Sequence, residues 1–185
     1  SKENRQKKIG LNAMVNNKGF RKDGSIFYGD QIHKLLSNDS SADDFGYFDT
    51  YSRIENGNRR FEYGAKVNNK AIQVLSDLLK YCEINNIYVI AIIPPFANAV
   101  NSKMKESGNY LYMDSIYSKS IELFRKHQFE LWDLSYLSKY DSNDDETIDG
   151  FHGSEVANLK MFIYMIENGS KIKEATDINK LKNDL

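Results

Sequence analysis

The sequence predicts an α/β protein, with helices layered on a parallel sheet, and three observations carry that reading. Ile87-Tyr88-Val89-Ile90-Ala91-Ile92-Ile93 is an unbroken, largely β-branched run that suits a strand buried on both faces. Phe129-Glu130-Leu131-Trp132-Asp133-Leu134 reads as a second strand. Around both, apolar residues recur at helical spacing. The order helix, strand, helix, strand, loop, helix is that of parallel strands joined by a helical crossover.

Taken in order, residues 1–64 form an irregular, aromatic-rich N-terminal segment or lid, in which only Gln31–Ser37 has the look of a short helix. From Val67 the pattern sharpens. Val67, Ala71, Val74, Leu75, Leu78, Leu79 and Cys82 share one helical face, and Asn85-Asn86 ends the helix. Pro94-Pro95, the only prolines in the chain, stop the first strand. Met113, Ile116, Tyr117, Ser120 and Phe124 mark the next helix. The last one runs from Ser154, a natural N-cap, to about Asn168, and its all-round apolar stretch Met161–Ile166 predicts burial. Residues 65–170 thus form the α/β part, and 171–185 a polar helical tail. Two strands are few for three helices, since small parallel sheets are rarely stable alone. The chain is therefore expected to supply only the later strands and helices of a sheet. An open edge is left for the missing half or for a second copy as a homodimer.

Composition narrows the function. The 185 residues are 41% hydrophobic and 12% aromatic, enough for a core. The 25 basic and 26 acidic residues are interspersed, so no global field invites nucleic acid. No apolar run is long enough to span a bilayer, so any membrane contact is expected through regions outside this chain. Cys82 lies on an apolar helix face and reads as core.

The chemistry concentrates in Asp149-Gly150-Phe151-His152. A carboxylate three residues before an imidazole, in a loop opening onto a helix, can fix the His tautomer and leave the other ring nitrogen as a general base. The plainer reading is that Asp149 caps a turn and His152 packs on Phe151. Of the other two His, His33 and His127 read as residues of polar helix surfaces. Ligand sites in α/β sheets lie off the carboxyl ends of the strands. Both Pro94-Pro95-Phe96-Ala97-Asn98 and the loop to Asp149 leave those ends, so Pro94, Pro95, Phe96 and Phe151 become candidates for lining a substrate pocket.

Other clusters are weaker. Asp141-Ser142-Asn143-Asp144-Asp145-Glu146 offers oxygens at alternate positions but lacks the Gly and the closing Glu of a calcium loop. Arg53, Arg59 and Arg60 are placed to meet an anionic sugar or to form surface ion pairs. With one His nearby, no metal site is expected, and no cofactor either.

The order strand, Pro-Pro, helix, strand ending in Trp132-Asp133-Leu134, then Asp149-x-x-His152 into a buried helix resembles the C-terminal half of the SGNH (GDSL-type) hydrolases. Gly19-Phe-Arg-Lys-Asp-Gly-Ser25 resembles a loop of the exported branch that O-acylates polysaccharides, of which the alginate acetylation proteins are examples. The resemblance covers roughly residues 67–168. It implies a flavodoxin-like, three-layer fold, with His152 as base and Asp149 as its orienting acid for a serine nucleophile. The implied reaction is esterase or O-acyltransferase chemistry on an acylated small molecule or polysaccharide, in an extracytoplasmic or cell-envelope setting. The family's Gly-Asp-Ser block is absent: Asp23-Gly24-Ser25 has the wrong order, and Gly29-Asp30-Gln31 has Gln in place of Ser. The family's Gly and Gly-x-Asn-Asp blocks are not found either. The alternative from another class is a non-catalytic carbohydrate-binding or assembly module lacking the nucleophile.

Overall fold

The computed structural model describes residues 8–9, 18–21, 24 and 26–185. Two units emerge, residues 1–46 and 47–185. In the first, strands β1 (Lys8–Ile9), β2 (Gly19–Arg21) and β3 (Ile26–Phe27) pair antiparallel in that order. Gly24 turns the chain between β2 and β3 at φ +85°, a conformation that only glycine adopts freely. Helix α1 (Gln31–Leu36) follows, and its buried Gln31 donates from Nε2 to the Asp43 carbonyl. Residues 22, 23 and 25 lie outside the described residues, so Ser25 is not among them.

The second unit begins with a helix that sequence reading missed, α2 (Phe48–Asn56). Its apolar side carries Ile54, which packs with Phe61, Val100, Met104 and Tyr110 in one buried cluster. That shared core puts residues 47–64 with the α/β part, whereas the sequence drew the boundary after residue 64. Neither α2 nor the antiparallel strands fit the irregular segment expected there.

Helix α3 (Asn69–Ile84) is capped by Asn68, whose side chain accepts the Lys70 amide. Strand β4 (Ile90–Ile93), α4 (Asn98–Ser107), α5 (Met113–Lys126), β5 (Glu130–Asp133), α6 (Glu155–Glu167) and α7 (Ile178–Asp184) complete the chain. The predicted parallel pair is present, in register Ile90 with Glu130 through Ile93 with Asp133. An isolated bridge between Phe96 and Tyr136 resumes that pairing beyond Pro94-Pro95. Helix α6 begins at Ser154, whose hydroxyl accepts the Ala157 amide, and it buries Met161, Ile163 and Met165. Leu134, Leu137 and Tyr140 meet Met161 and Met165 in a second core. The helix α4 was not expected.

Burial departs from the sequence reading on one side. Of the apolar face of α3, only Leu79 and Cys82 are buried; Val74 and Leu78 remain 61% and 53% exposed. Ile92 on β4 is 38% exposed, and Ile87 and Tyr88 are more so. A strand predicted to be covered on both faces is not, because among the described residues the sheet containing β4 has only two strands. The architecture shown is mixed α/β. No helix among the described residues is long and apolar enough to cross a membrane.

Candidate functional site

Asp149 and His152 sit in a closed turn. The Ile148 amide donates to the His152 carbonyl at 2.8 Å, and the Ser154 amide to the Glu146 carbonyl at 2.8 Å. The turn is therefore cinched just where α6 begins. Gly150 makes it possible, with φ +83° and no room for a side chain: a Cβ there would meet Val100 Cγ2 at 2.6 Å and Tyr47 Cδ1 at 3.2 Å.

Within the turn, Asp149 is held by three donors. Its Oδ1 accepts the amides of Phe151 at 3.2 Å and His152 at 2.9 Å, and its Oδ2 lies 2.7 Å from His152 Nδ1. A carboxylate can only accept, so Nδ1 carries the proton, and in the neutral imidazole that leaves the lone pair on Nε2. Nε2 has no hydrogen-bond partner among the described residues, and the His152 side chain is 47% exposed. The imidazole leans on the Phe151 ring, centroids 4.3 Å apart, and Phe151 in turn packs edge-on to buried Phe61. Capping by Asp149 and packing on Phe151 thus accompany the Asp–His contact.

Two elements hold this turn in position. The Ala97 amide donates to the Gly150 carbonyl at 2.8 Å, which ties the loop after β4 to the Asp149–His152 turn. From α2, Thr50 Oγ1 donates to the Asp149 carbonyl at 3.2 Å, and Arg53 lies with its guanidinium carbon 5.9 Å from the Phe151 ring centroid. Arg53 is also paired with Asp49, one turn earlier, and its Nε is buried without a partner among the described residues. Sequence reading missed Thr50, although Tyr47, Thr50, Tyr51 and Ile54 have the spacing of one helical face.

The acidic loop has a structural role. Asp144 accepts the amides of Asn98 at 2.6 Å and Ala99 at 3.0 Å, capping α4 from 45 residues away. Glu146 pairs with Lys160 at 2.6 Å and accepts Ser142 Oγ at 2.6 Å. Among the described residues no group of three or more His, Cys, Asp and Glu is placed to hold a metal ion.

His127 corrects the sequence reading. It is buried at the end of α5, not set on a polar surface, because its Nδ1 reaches Glu83 Oε2 on α3 at 2.9 Å and its ring stacks on Phe129. It precedes β5, at the opposite end of the sheet from the Asp149–His152 turn.

The four pocket candidates separate. Pro94 and Phe96 line a cleft of about 630 Å³ off the ends of β4 and β5, whereas Pro95 and Phe151 do not. Phe61 stands between the two regions, 5.8 Å from the Phe96 ring and 5.9 Å from that of Phe151. His152 and Asp149 are not part of the cleft wall.

No protein-family model matches this chain, and no curated protein or solved structure is similar to it. The resemblance to SGNH hydrolases rests on the sequence pattern quoted above.

Proposed function

We propose that this chain carries the base half of an SGNH-type ester-processing site, in a flavodoxin-like, three-layer architecture of which it supplies the later strands and helices. The observation that carries the proposal is the 2.7 Å contact from Asp149 Oδ2 to His152 Nδ1, with Nε2 left open. In this reading a serine from outside the described residues gives its proton to Nε2 as its oxygen attacks an ester carbonyl. His152 returns the proton to the departing alkoxide, and Asp149 stabilises the imidazolium between the two steps. Water then accepts the acyl group in an esterase, and a sugar hydroxyl in an O-acyltransferase. Acylated small molecules or polysaccharides are the implied substrates, in an extracytoplasmic or cell-envelope setting.

The exposed face of α3 and the two-stranded β4–β5 sheet fit this architecture. Apolar patches of this kind mark surfaces that another element covers. Further strands of a longer chain would cover it in this reading, or a second copy in a homodimer.

One observation favours the second reading, a non-catalytic carbohydrate-binding or assembly module. Among the described residues no serine, threonine or cysteine is hydrogen-bonded to His152. The two readings part in a trapping experiment. The protein, with whatever sequence precedes Ser1 in its gene, is mixed with p-nitrophenyl acetate, quenched within seconds and analysed by mass spectrometry. The ester reading predicts one acetyl group on a serine, lost in His152→Ala. An unmodified protein that releases no p-nitrophenol supports the binding module.

A further inference from the structure

The cleft off the ends of β4 and β5 has a character that the Asp149–His152 turn does not explain. At about 630 Å³ it is the size of small-molecule sites, and most of its wall is apolar or aromatic. Leu111, Tyr117 and Tyr136 line it while remaining 57%, 37% and 37% exposed, so apolar surface is left facing water at its mouth.

Two cations also line this cleft without a side-chain salt bridge among the described residues. Lys105 Nζ donates to the Tyr136 hydroxyl at 2.7 Å and lies 5.0 Å from the centre of that ring, but it forms no salt bridge. The hydrogen bond to Tyr136 raises its pKa, which keeps it charged. Among the described residues the Arg60 side chain makes no hydrogen bond, while its backbone amide donates to Glu62 Oε1 at 3.2 Å; Arg59 and Arg60 are consecutive non-glycine residues at φ +49° and +82°. Such conformations persist only where the surrounding structure enforces them, and they cluster at active sites and ligand clamps. Of the two acids in the wall, Asp133 is taken by Lys139 at 2.8 Å. Asp114 forms no salt bridge among the described residues, but its charge acts on Lys105 and helps to raise that lysine's pKa.

We propose that this cleft binds a small amphiphilic anion, with its apolar body against Leu111, Tyr117 and Tyr136 and its single anionic head on Arg60 and Lys105. A planar guanidinium and an ammonium both suit a carboxylate or phosphate head. Asp114 repels a second negative group, so the site suits one head on an uncharged body. The inference does not depend on the ester reading, since it uses neither Asp149 nor His152.

The test is a binding titration of the 185-residue chain followed by amide NMR, with hexanoate, hexyl phosphate and hexanol as probes. Saturable shifts at Leu111–Tyr117 and Tyr136 are expected with one or both anions at millimolar concentration. Hexanol should bind at least 5-fold more weakly. Arg60→Gln and Lys105→Gln should each weaken the better anion by about 5- to 20-fold, the range for losing one charge-assisted contact at a partly exposed site. The ratio of hexanoate to hexyl phosphate affinity then identifies the head group. Equal binding of hexanol, unchanged affinity in both variants, or no saturable shift with either anion would overturn the proposal. Because binding is read and not turnover, the absence of esterase activity has no bearing on the outcome.

Discussion

The Gly150 carbonyl accepts the Ala97 amide at 2.8 Å, so the turn bearing Asp149 and His152 is fastened to the loop that leaves β4. Residues more than 50 positions apart are thereby held at one rim of the sheet. The geometry of the dyad depends on that fastening and on the glycine that permits it.

Gly150→Ala should disturb both. The residue sits at φ +83°, and the added methyl would meet Val100 Cγ2 at 2.6 Å. A loss of about 2–4 kcal/mol in urea unfolding is expected, from an unfavourable backbone conformation plus overpacking. The His152 ring resonances should shift in the same variant. Unchanged stability would mean that the turn tolerates a different backbone.

Asp144→Ala tests the remote cap of α4. Its carboxylate is the acceptor for the first two amides of that helix. The substitution should cost about 1–2 kcal/mol, with Asp144→Asn costing less because one acceptor oxygen survives. If calcium were the true partner of this loop, adding the ion would raise the melting temperature of the parent protein; no such rise is expected.

The elements most legible in the sequence were those with a strong single pattern. The run ending at Ile93 and the segment Glu130–Asp133 did form parallel strands, and Ser154 did cap a helix. Helix α2 was hidden because Tyr51 and Ile54 are spaced among polar residues, and much of the core that buries Ile54 comes from Val100, Met104 and Tyr110, remote in sequence. Helix α4 follows two prolines and takes its N-terminal cap from Asp144, so no local signal announced it. The pairing of Asp149 with His152 could be read from their spacing. The buried pair of His127 with Glu83 could not, because the two residues are 44 positions apart.

Acid should destabilise the protein through β5. Burial works to raise the Glu130 pKa, but hydrogen bonds from Ser170, the Lys171 amide, Trp132 and Tyr88 outweigh it and hold it below the ordinary 4.5. Asp133 is likewise lowered from 3.8, with burial outweighed by Lys139 and Ser135. Both folded-state values lie below the unfolded ones. The stabilisation is therefore complete above the unfolded values and is lost as pH falls through the folded ones. The urea midpoint should hold steady near neutrality and drop from about pH 5 downward. Glu130→Gln should flatten that drop; an equally steep one would place the acid sensitivity elsewhere.

The most direct test of the Asp149–His152 assignment is kcat/KM for p-nitrophenyl acetate, measured on the protein with whatever sequence precedes Ser1 in its gene. His152→Ala should lower it by about 10³-fold or more and Asp149→Asn by somewhat less, while His127→Gln should leave it within a few-fold of the parent. The 185-residue chain alone should show only the background of a free imidazole. Robust turnover that survives His152→Ala would contradict the account and point to a catalytic group elsewhere in the protein.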